Sequence, residues 1–136
     1  MSRVLSICNE LVSKLKTKFP SIELSLVPRF DFEKDVEKSY LVPRSETTSD
    51  LSGARVVEQT IEIGIYHVID NFTEETHFNM VESIFDVIHG LEMDFCSVKS
   101  VDIEHQFIPD AARDRVLLSV LSVVCIYALR NERGIE

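Results

Sequence analysis

The chain has 136 residues, 45 % of them apolar, and a net charge of −9 from 23 acidic against 14 basic side chains. That length suits a single domain whose core needs neither disulfide nor metal, and the apolar share excludes a disordered chain. The acidic excess argues against a surface that grips nucleic-acid phosphates, and no apolar run approaches the ~20 residues of a membrane span.

Polar residues interrupt every apolar cluster of the opening MSRVLSICNELVSKLKTKF, so no signal-peptide core is expected and the protein is expected to stay where it is made. Cys8, Cys96 and Cys125 are odd in number, with no CxxC pair and no His at metal spacing. This pattern favours buried free thiols in a reducing compartment over a disulfide or zinc site.

The first element spans Ser2 to Phe19. Val4, Leu5, Cys8, Leu11, Val12, Leu15 and Phe19 form an apolar stripe at helical spacing, opposed by Asn9, Glu10, Ser13, Lys14 and Lys16. Lysines suit the negative end of the dipole, and Pro20 ends the helix. Ile22, Leu24 and Leu26 then alternate with polar residues, which predicts a short strand stopped by Pro28, with the helix folded back onto it.

From Pro28 to Gly53 regular pattern is scarce: a charged run from Asp31 to Lys38, the apolar island Tyr40-Leu41-Val42, Pro43, then a polar stretch from Ser45 to Ser52. At most one short strand is expected. Leu-Val-Pro-Arg occurs twice, at Leu26–Arg29 and Leu41–Arg44, as two proline-stopped strand ends forming the arms of a hairpin would require. A connection this long is either disordered or a binding arm. Tyr40, Leu41 and Val42 favour the arm, because a disordered loop rarely needs an apolar anchor with strand propensity.

The centre of the chain changes period. Over Val57–Ile69, Ile61, Ile63 and Ile65 alternate with Glu58, Thr60, Glu62, Gly64 and Tyr66, the mark of a half-buried strand. Phe78, Val81, Ile84, Phe85, Ile88 and Leu91 then recur at three and four, predicting a helix over Glu74 to His89 with Glu75, Asn79, Glu82, Ser83, Asp86 and His89 outward. Asn71 or Thr73 can cap its start and Gly90 its end.

Val101, Ile103, His105 and Phe107 alternate with Asp102, Glu104 and Gln106, another one-faced strand. Pro109, Asp110, Arg113, Asp114 and Arg115 read as a turn. Val116 to Tyr127 runs nearly without polar residues, so its period fits helix and strand alike. The β-branched Val116, Val120, Val123, Val124 and Ile126, with the preceding turn, favour a strand hairpinned to Val101–Phe107, with a helix as the alternative. Apolar residues on both its faces then require a second covering beyond the helices, such as another subunit. Leu129–Glu136 is a polar tail, expected to be loose. Together these elements predict an α+β fold: two helices packed on one face of a mainly antiparallel four- to five-stranded sheet, with a long arm or hairpin loop over 28–53.

Catalytic and cofactor signatures are missing. The four glycines are isolated, so nucleotide binding has no support, and no cofactor is expected. His67, His77, His89 and His105 never fall at metal spacing and read as structural or neutral, and the cysteines read as core thiols. No catalytic or metal-binding residue is assigned. The acids are the one constellation of note: Glu58 and Glu62 share the polar face of one strand, Asp102 and Glu104 that of another. Four carboxylates on one sheet surface describe a solvated face or the wall of a lumen better than a catalytic pair, since no base, nucleophile or glycine-lined pocket accompanies them.

The order helix, strand, long arm, long strand, helix, strand, turn, strand resembles the tail-terminator and tail-completion proteins of tailed bacteriophages. The features that carry it are the opening helix ending at Phe19-Pro20, the Leu26-Val27-Pro28 strand end, the Arg55–Ile69 strand after a ragged loop, and the hairpin through Pro109-Asp110 and Arg113-Asp114-Arg115. The resemblance spans nearly the whole chain and rests on pattern and order, since that family has no invariant catalytic residues. It implies a structural virion protein, not an enzyme, assembled in the host cytoplasm as a homo-oligomeric ring, expected to be a hexamer. The ring would cap the tail tube, meet the head connector or neck protein, and let DNA pass without specific binding. On that reading Tyr40, Leu41, Val42 and Arg44 belong to an intersubunit arm and Glu58, Glu62, Asp102 and Glu104 face the lumen. A neck head-to-tail joining protein of the same layout and a small acidic-site enzyme are the alternatives.

Overall fold

The computed structural model describes residues 2–20, 22, 24–26, 39–51, 53–68, 74–110 and 113–130. Their order is α1 (Arg3–Lys18), β1 (Leu24–Leu26), β2 (Ser39–Leu51), β3 (Ala54–Val68), α2 (Glu74–His89), β4 (Ser97–Asp110) and β5 (Arg113–Arg130). The α+β fold is as expected, down to the ends of α2. Among the described residues no helix is long and apolar enough to cross a membrane.

The Ser2 side chain accepts the Leu5 N–H at 3.0 Å and so caps α1, while Lys16 and Lys18 lie in its last turn. Its buried side chains are Ile7, Cys8, Leu11 and Leu15. The expected stripe is therefore rotated slightly: Ile7 is fully buried, and Leu5 is 42 % exposed. In α2, His77, Val81, Ile84 and Ile88 point inward, and Phe85 sits half-buried beside them. Gly90 follows the last turn as expected, whereas the proposed caps Asn71 and Thr73 lie outside the described residues.

The sheet order is β1-β2-β3-β5-β4, with β1 parallel to β2 and every other pair antiparallel. Val116–Tyr127 is a strand, and as β5 it occupies the interior of the sheet between β3 and β4. Its Leu121, Val123 and Cys125 belong to the core under the helices, and its Val116 and Leu118 to a small cluster on the other face. One core contains Ile7, Leu11, Val81, Ile84 and Ile88 of the helices together with Leu41, Ile61, Ile63, Ile65, Leu121 and Val123 of the sheet. Both helices thus cover the same face. A second, smaller cluster of Tyr40, Val42, Tyr66, Val116 and Leu118 lies on the opposite face and includes no helical residue.

Four expectations are corrected. The 28–53 arm is a 13-residue strand over 39–51, which pairs with β3 from Tyr40↔Gly64 to Leu51↔Ala54, with Gly53 at φ 81° in the turn. Its anchor is internal to this chain, since Tyr40, Leu41 and Val42 are all buried by their own fold; residues 27–38, with the charged run, lie outside the described residues. The two Leu-Val-Pro-Arg copies do not face each other in a hairpin. Leu26 and Leu41 are partners in a parallel ladder, and β2 continues through Pro43 by shifting register between Pro43 and Ser45. Pro109, Asp110 and Arg113–Arg115, expected to form a turn, belong to the β4–β5 strands, and 111–112 lies outside the described residues. Leu129 and Arg130, read as the start of a loose tail, pair with Arg55 and Ala54; 131–136 lies outside the described residues.

Candidate functional site: the sheet face opposite the helices

Strand alternation decides which side chains reach this face. On β3 the helix side takes Ile61, Ile63, Ile65 and His67, leaving Glu58, Glu62, Gly64 and Tyr66 for the other side. On β4, Val101 and Ile103 pack toward the helices, so Asp102 and Glu104 alternate away. All four predicted carboxylates therefore share the face without helices. Glu62 and Asp102 both lie opposite Ser122, one on each side of β5, which separates their backbones by two strand spacings, roughly 10 Å. They line a surface and do not converge.

The four acids differ in their partners. Glu62 receives the Tyr40 hydroxyl at 2.5 Å and Arg44 Nε at 2.8 Å. Burial pushes the Glu62 carboxyl up, but those two hydrogen bonds and the Arg44 charge outweigh it and hold the group below its ordinary value. The Tyr40 hydroxyl is pushed far up, by burial first and then by its bond to Glu62. Glu58 pairs with Lys99 at 2.6 Å. Asp102 and Glu104 are exposed and make no ion pair among the described residues. The face thus carries two neutralised carboxylates and two free ones.

Tyr40 owes its place to a missing side chain. It is the β2 partner of Gly64, and a Cβ on Gly64 would lie 2.1 Å from Tyr40 Cε2, so the ring occupies the space above the glycine. From there its hydroxyl reaches Glu62. Of the expected arm residues, Tyr40, Val42 and Arg44 thus join Glu62 in one patch, while Leu41 faces the main core.

Two constellations emerge that the sequence reading left scattered. His77 is fully buried; its Nδ1 lies 2.7 Å from His67 Nδ1 and its Nε2 lies 2.9 Å from the Ser119 hydroxyl, which also meets His105 Nδ1 at 2.7 Å. Phe78 makes T-shaped ring contacts with both His77 and His105. The signal was available: each of these polar residues occupies an inward position of its element, His77 in line with Val81, Ile84 and Ile88, and Ser119 between Leu117 and Leu121. The three cysteines also converge. The Cys96 and Cys125 thiols hydrogen-bond, which raises Cys125 well above the thiol range and lowers Cys96, while burial alone lifts Cys8 to about 11. All three are free, Cys8 and Cys125 buried as expected, Cys96 partly exposed. Among the described residues no group of three or more His, Cys, Asp or Glu side chains is arranged to hold a metal ion.

Neither a protein-family model nor a curated protein sequence matches the chain.

Proposed function

We propose that the protein is a structural ring component of a phage tail or neck, similar in role to tail terminators, that caps the tail tube and lets DNA pass. The observation that carries this reading is the sheet face opposite the helices, where Asp102 and Glu104 stand exposed beside the paired Glu58 and Glu62. A ring of such subunits with this face inward would present negative charge to the genome. Repulsion acts over about a Debye length, ~8 to 10 Å at ordinary ionic strength, so the acids need only line the wall. The face also lacks what a catalyst needs, because its carboxylates are spread along separate strands and two are committed to Arg44 and Lys99.

The long β2–β3 hairpin supplies the remaining support. Its outer residues, Ser45 to Asp50, are exposed and polar, and among the described residues the other edge of β2 is paired at Ser39–Leu41 alone, which in this proposal leaves the edge beyond to a neighbour. The intersubunit contact expected of Tyr40, Leu41 and Val42 moves, in this proposal, to Arg44 and the hairpin beyond it. A neck joining protein with the same layout would use the same surfaces.

Size-exclusion chromatography with light scattering, alone and with tail tubes, tests the ring: a closed oligomer is expected, and a monomer under both conditions overturns the proposal. For the wall, Asp102→Lys with Glu104→Lys should leave assembly intact and make the oligomer retain DNA at low salt, with retention fading as salt rises. Unchanged DNA retention in that double variant removes the lumen assignment.

A further inference from the structure

The cysteines lie on the helix side of the sheet, opposite the face on which the ring proposal rests, and two of them are built into a pair. Most of the β4–β5 hairpin separates Cys96 from Cys125 in sequence, yet the register brings them together. Ser97 pairs with Ile126 and Val98 with Cys125, so the residue before Ser97 falls opposite Tyr127, on the same side of the sheet as Val98 and Cys125. Cys96, Val98 and Tyr127 all pack on the core that contains Cys8 and Cys125, as that side requires. Diagonal neighbours on one face of an antiparallel pair come within reach of each other. Here the Cys125 thiol donates its hydrogen bond to the Cys96 sulfur.

Both flanks of Cys96 are held in place. After it, the ladder shifts register between Val98 and Ser100, which sets the two pairs nearest the cysteines apart from the rest of β4 by one extra residue, Lys99. Before it, the Glu10 carboxylate of α1 accepts the Asp94 N–H at 2.5 Å and the Phe95 N–H at 3.2 Å, fastening the bend that delivers Cys96. The thiols differ in access: Cys8 and Cys125 are fully buried, whereas Cys96 is partly exposed. Of the three, Cys96 is the one that a reagent in solution reaches first.

We propose that Cys96 and Cys125 form a dithiol site that small-molecule disulfides oxidise to a Cys96–Cys125 bond, stapling the start of β4 to β5, with Cys96 attacking and Cys125 resolving. In the first step the Cys96 thiolate attacks one sulfur of a disulfide RSSR. The Cys96–SR bond forms, the S–S bond of RSSR breaks, and the departing RS⁻ takes up the proton that Cys96 gave up. In the second, the Cys125 sulfur attacks the Cys96 sulfur and expels the remaining RS⁻, which receives the Cys125 proton. Two thiols are oxidised and one RSSR is reduced to two RSH. The hydrogen bond from Cys125 favours the Cys96 thiolate and outweighs burial and the Glu10 charge, which oppose it. That same bond is the largest cause holding the proton on Cys125, and it goes once Cys96 carries SR. Burial alone lifts Cys8 to about 11 and keeps it out of both steps. Cys96 precedes the first ladder pair, so closing the bond separates no paired residues. The product encloses β4 and most of β5 in one covalent loop, which restricts the unfolded chain.

The test incubates the reduced full chain, without denaturant, in buffers of graded oxidised-to-reduced glutathione ratio, followed by acid quench, alkylation and peptide mass mapping. Two of the three thiols should be lost, joined as Cys96–Cys125, with Cys8 still a thiol. The melting temperature of the oxidised chain should rise by roughly 5 °C, a shift that Cys96→Ser should lack. Cys125→Ala should stop at a glutathione adduct on Cys96. Should that variant not fold, Cys96→Ser, at the partly exposed position, should leave both buried thiols unoxidised. A folded parent that keeps all three thiols in excess oxidised glutathione, a disulfide that includes Cys8, a Cys96–Cys96 bond between chains, or an oxidised chain that melts no higher than the reduced one would each overturn the site.

Discussion

At the scale of single residues, space and charge decide different outcomes. Gly64 is required by the ring above it, so Gly64→Ala should destabilise the protein by roughly 1 to 3 kcal/mol, as overpacking does. Tyr40→Ala in the same chain should recover most of that loss. A urea-melt double-mutant cycle measures the coupling, and additive effects would show that the ring is not what excludes the methyl. Ile84 is 1 % exposed whereas Phe85 is half-buried, so Ile84→Ala should cost about 2 to 5 kcal/mol and Phe85→Ala distinctly less. Thermal melts of the two variants give the order. Glu62 is held below the ordinary carboxylate value of 4.5, so its pairing with Tyr40 and Arg44 contributes fully above that pH and fades as pH falls through the lower folded value. The stability gap between the parent and Glu62→Gln should accordingly close on acidification, which denaturant titrations at stepped pH would follow.

At the scale of elements, the register shift in β2 makes a sharp contrast possible. Pro43 faces Ile61 and Ser45 faces Thr60, so Arg44 is the extra residue, and the buried Gln59 donates from Nε2 to the Ser45 carbonyl at 3.0 Å beside it. Deleting Arg44 keeps both halves of β2 on their present faces and removes an exposed ion pair, a loss of about 1 kcal/mol or less. Deleting Leu41 instead turns Tyr40 toward the helices and should cost several kcal/mol. Circular-dichroism melts of the two deletions check the ranking. Most elements were legible because one period dominated each: the threes and fours of α2, the twos of β3 and β4. β2 was not, because its outer half reads Ser45-Glu46-Thr47-Thr48-Ser49-Asp50, polar on both faces. Such a strand has no alternation to detect, and its hydrogen bonds to β3 hold it in place of side-chain burial. The acids' common face followed from alternation alone. Their partners did not, since Arg44 reaches Glu62 only through the bulge and Lys99 reaches Glu58 from a strand two places away. The histidine and cysteine groups escaped notice because each assembles residues 10 to 42 positions apart or more, a distance at which spacing rules are silent.

At the scale of the whole molecule, the strand order ties everything to β5. It pairs with β3 from Ala54↔Arg130 to Val68↔Val116 and with β4 from Ser97↔Ile126 to Asp110↔Arg113. β3 and β4 share no ladder of their own. A chain ended at Asp110 should therefore lose β4 from the sheet altogether and expose one face of β3, and far-UV circular dichroism with dye binding should find it largely unfolded. The same order constrains biosynthesis. Every strand that β5 joins is made before it, so a ribosome displays β3 and β4 for the whole interval in which their only common partner does not yet exist. During that interval Ile61, Ile63 and Ile65 lie on a strand with one side unpaired, the condition under which nascent chains associate with one another or are held by chaperones. Closure of this sheet is thus set by completion of its final strand, and slowing translation through earlier codons would lengthen the exposure without helping the domain to form.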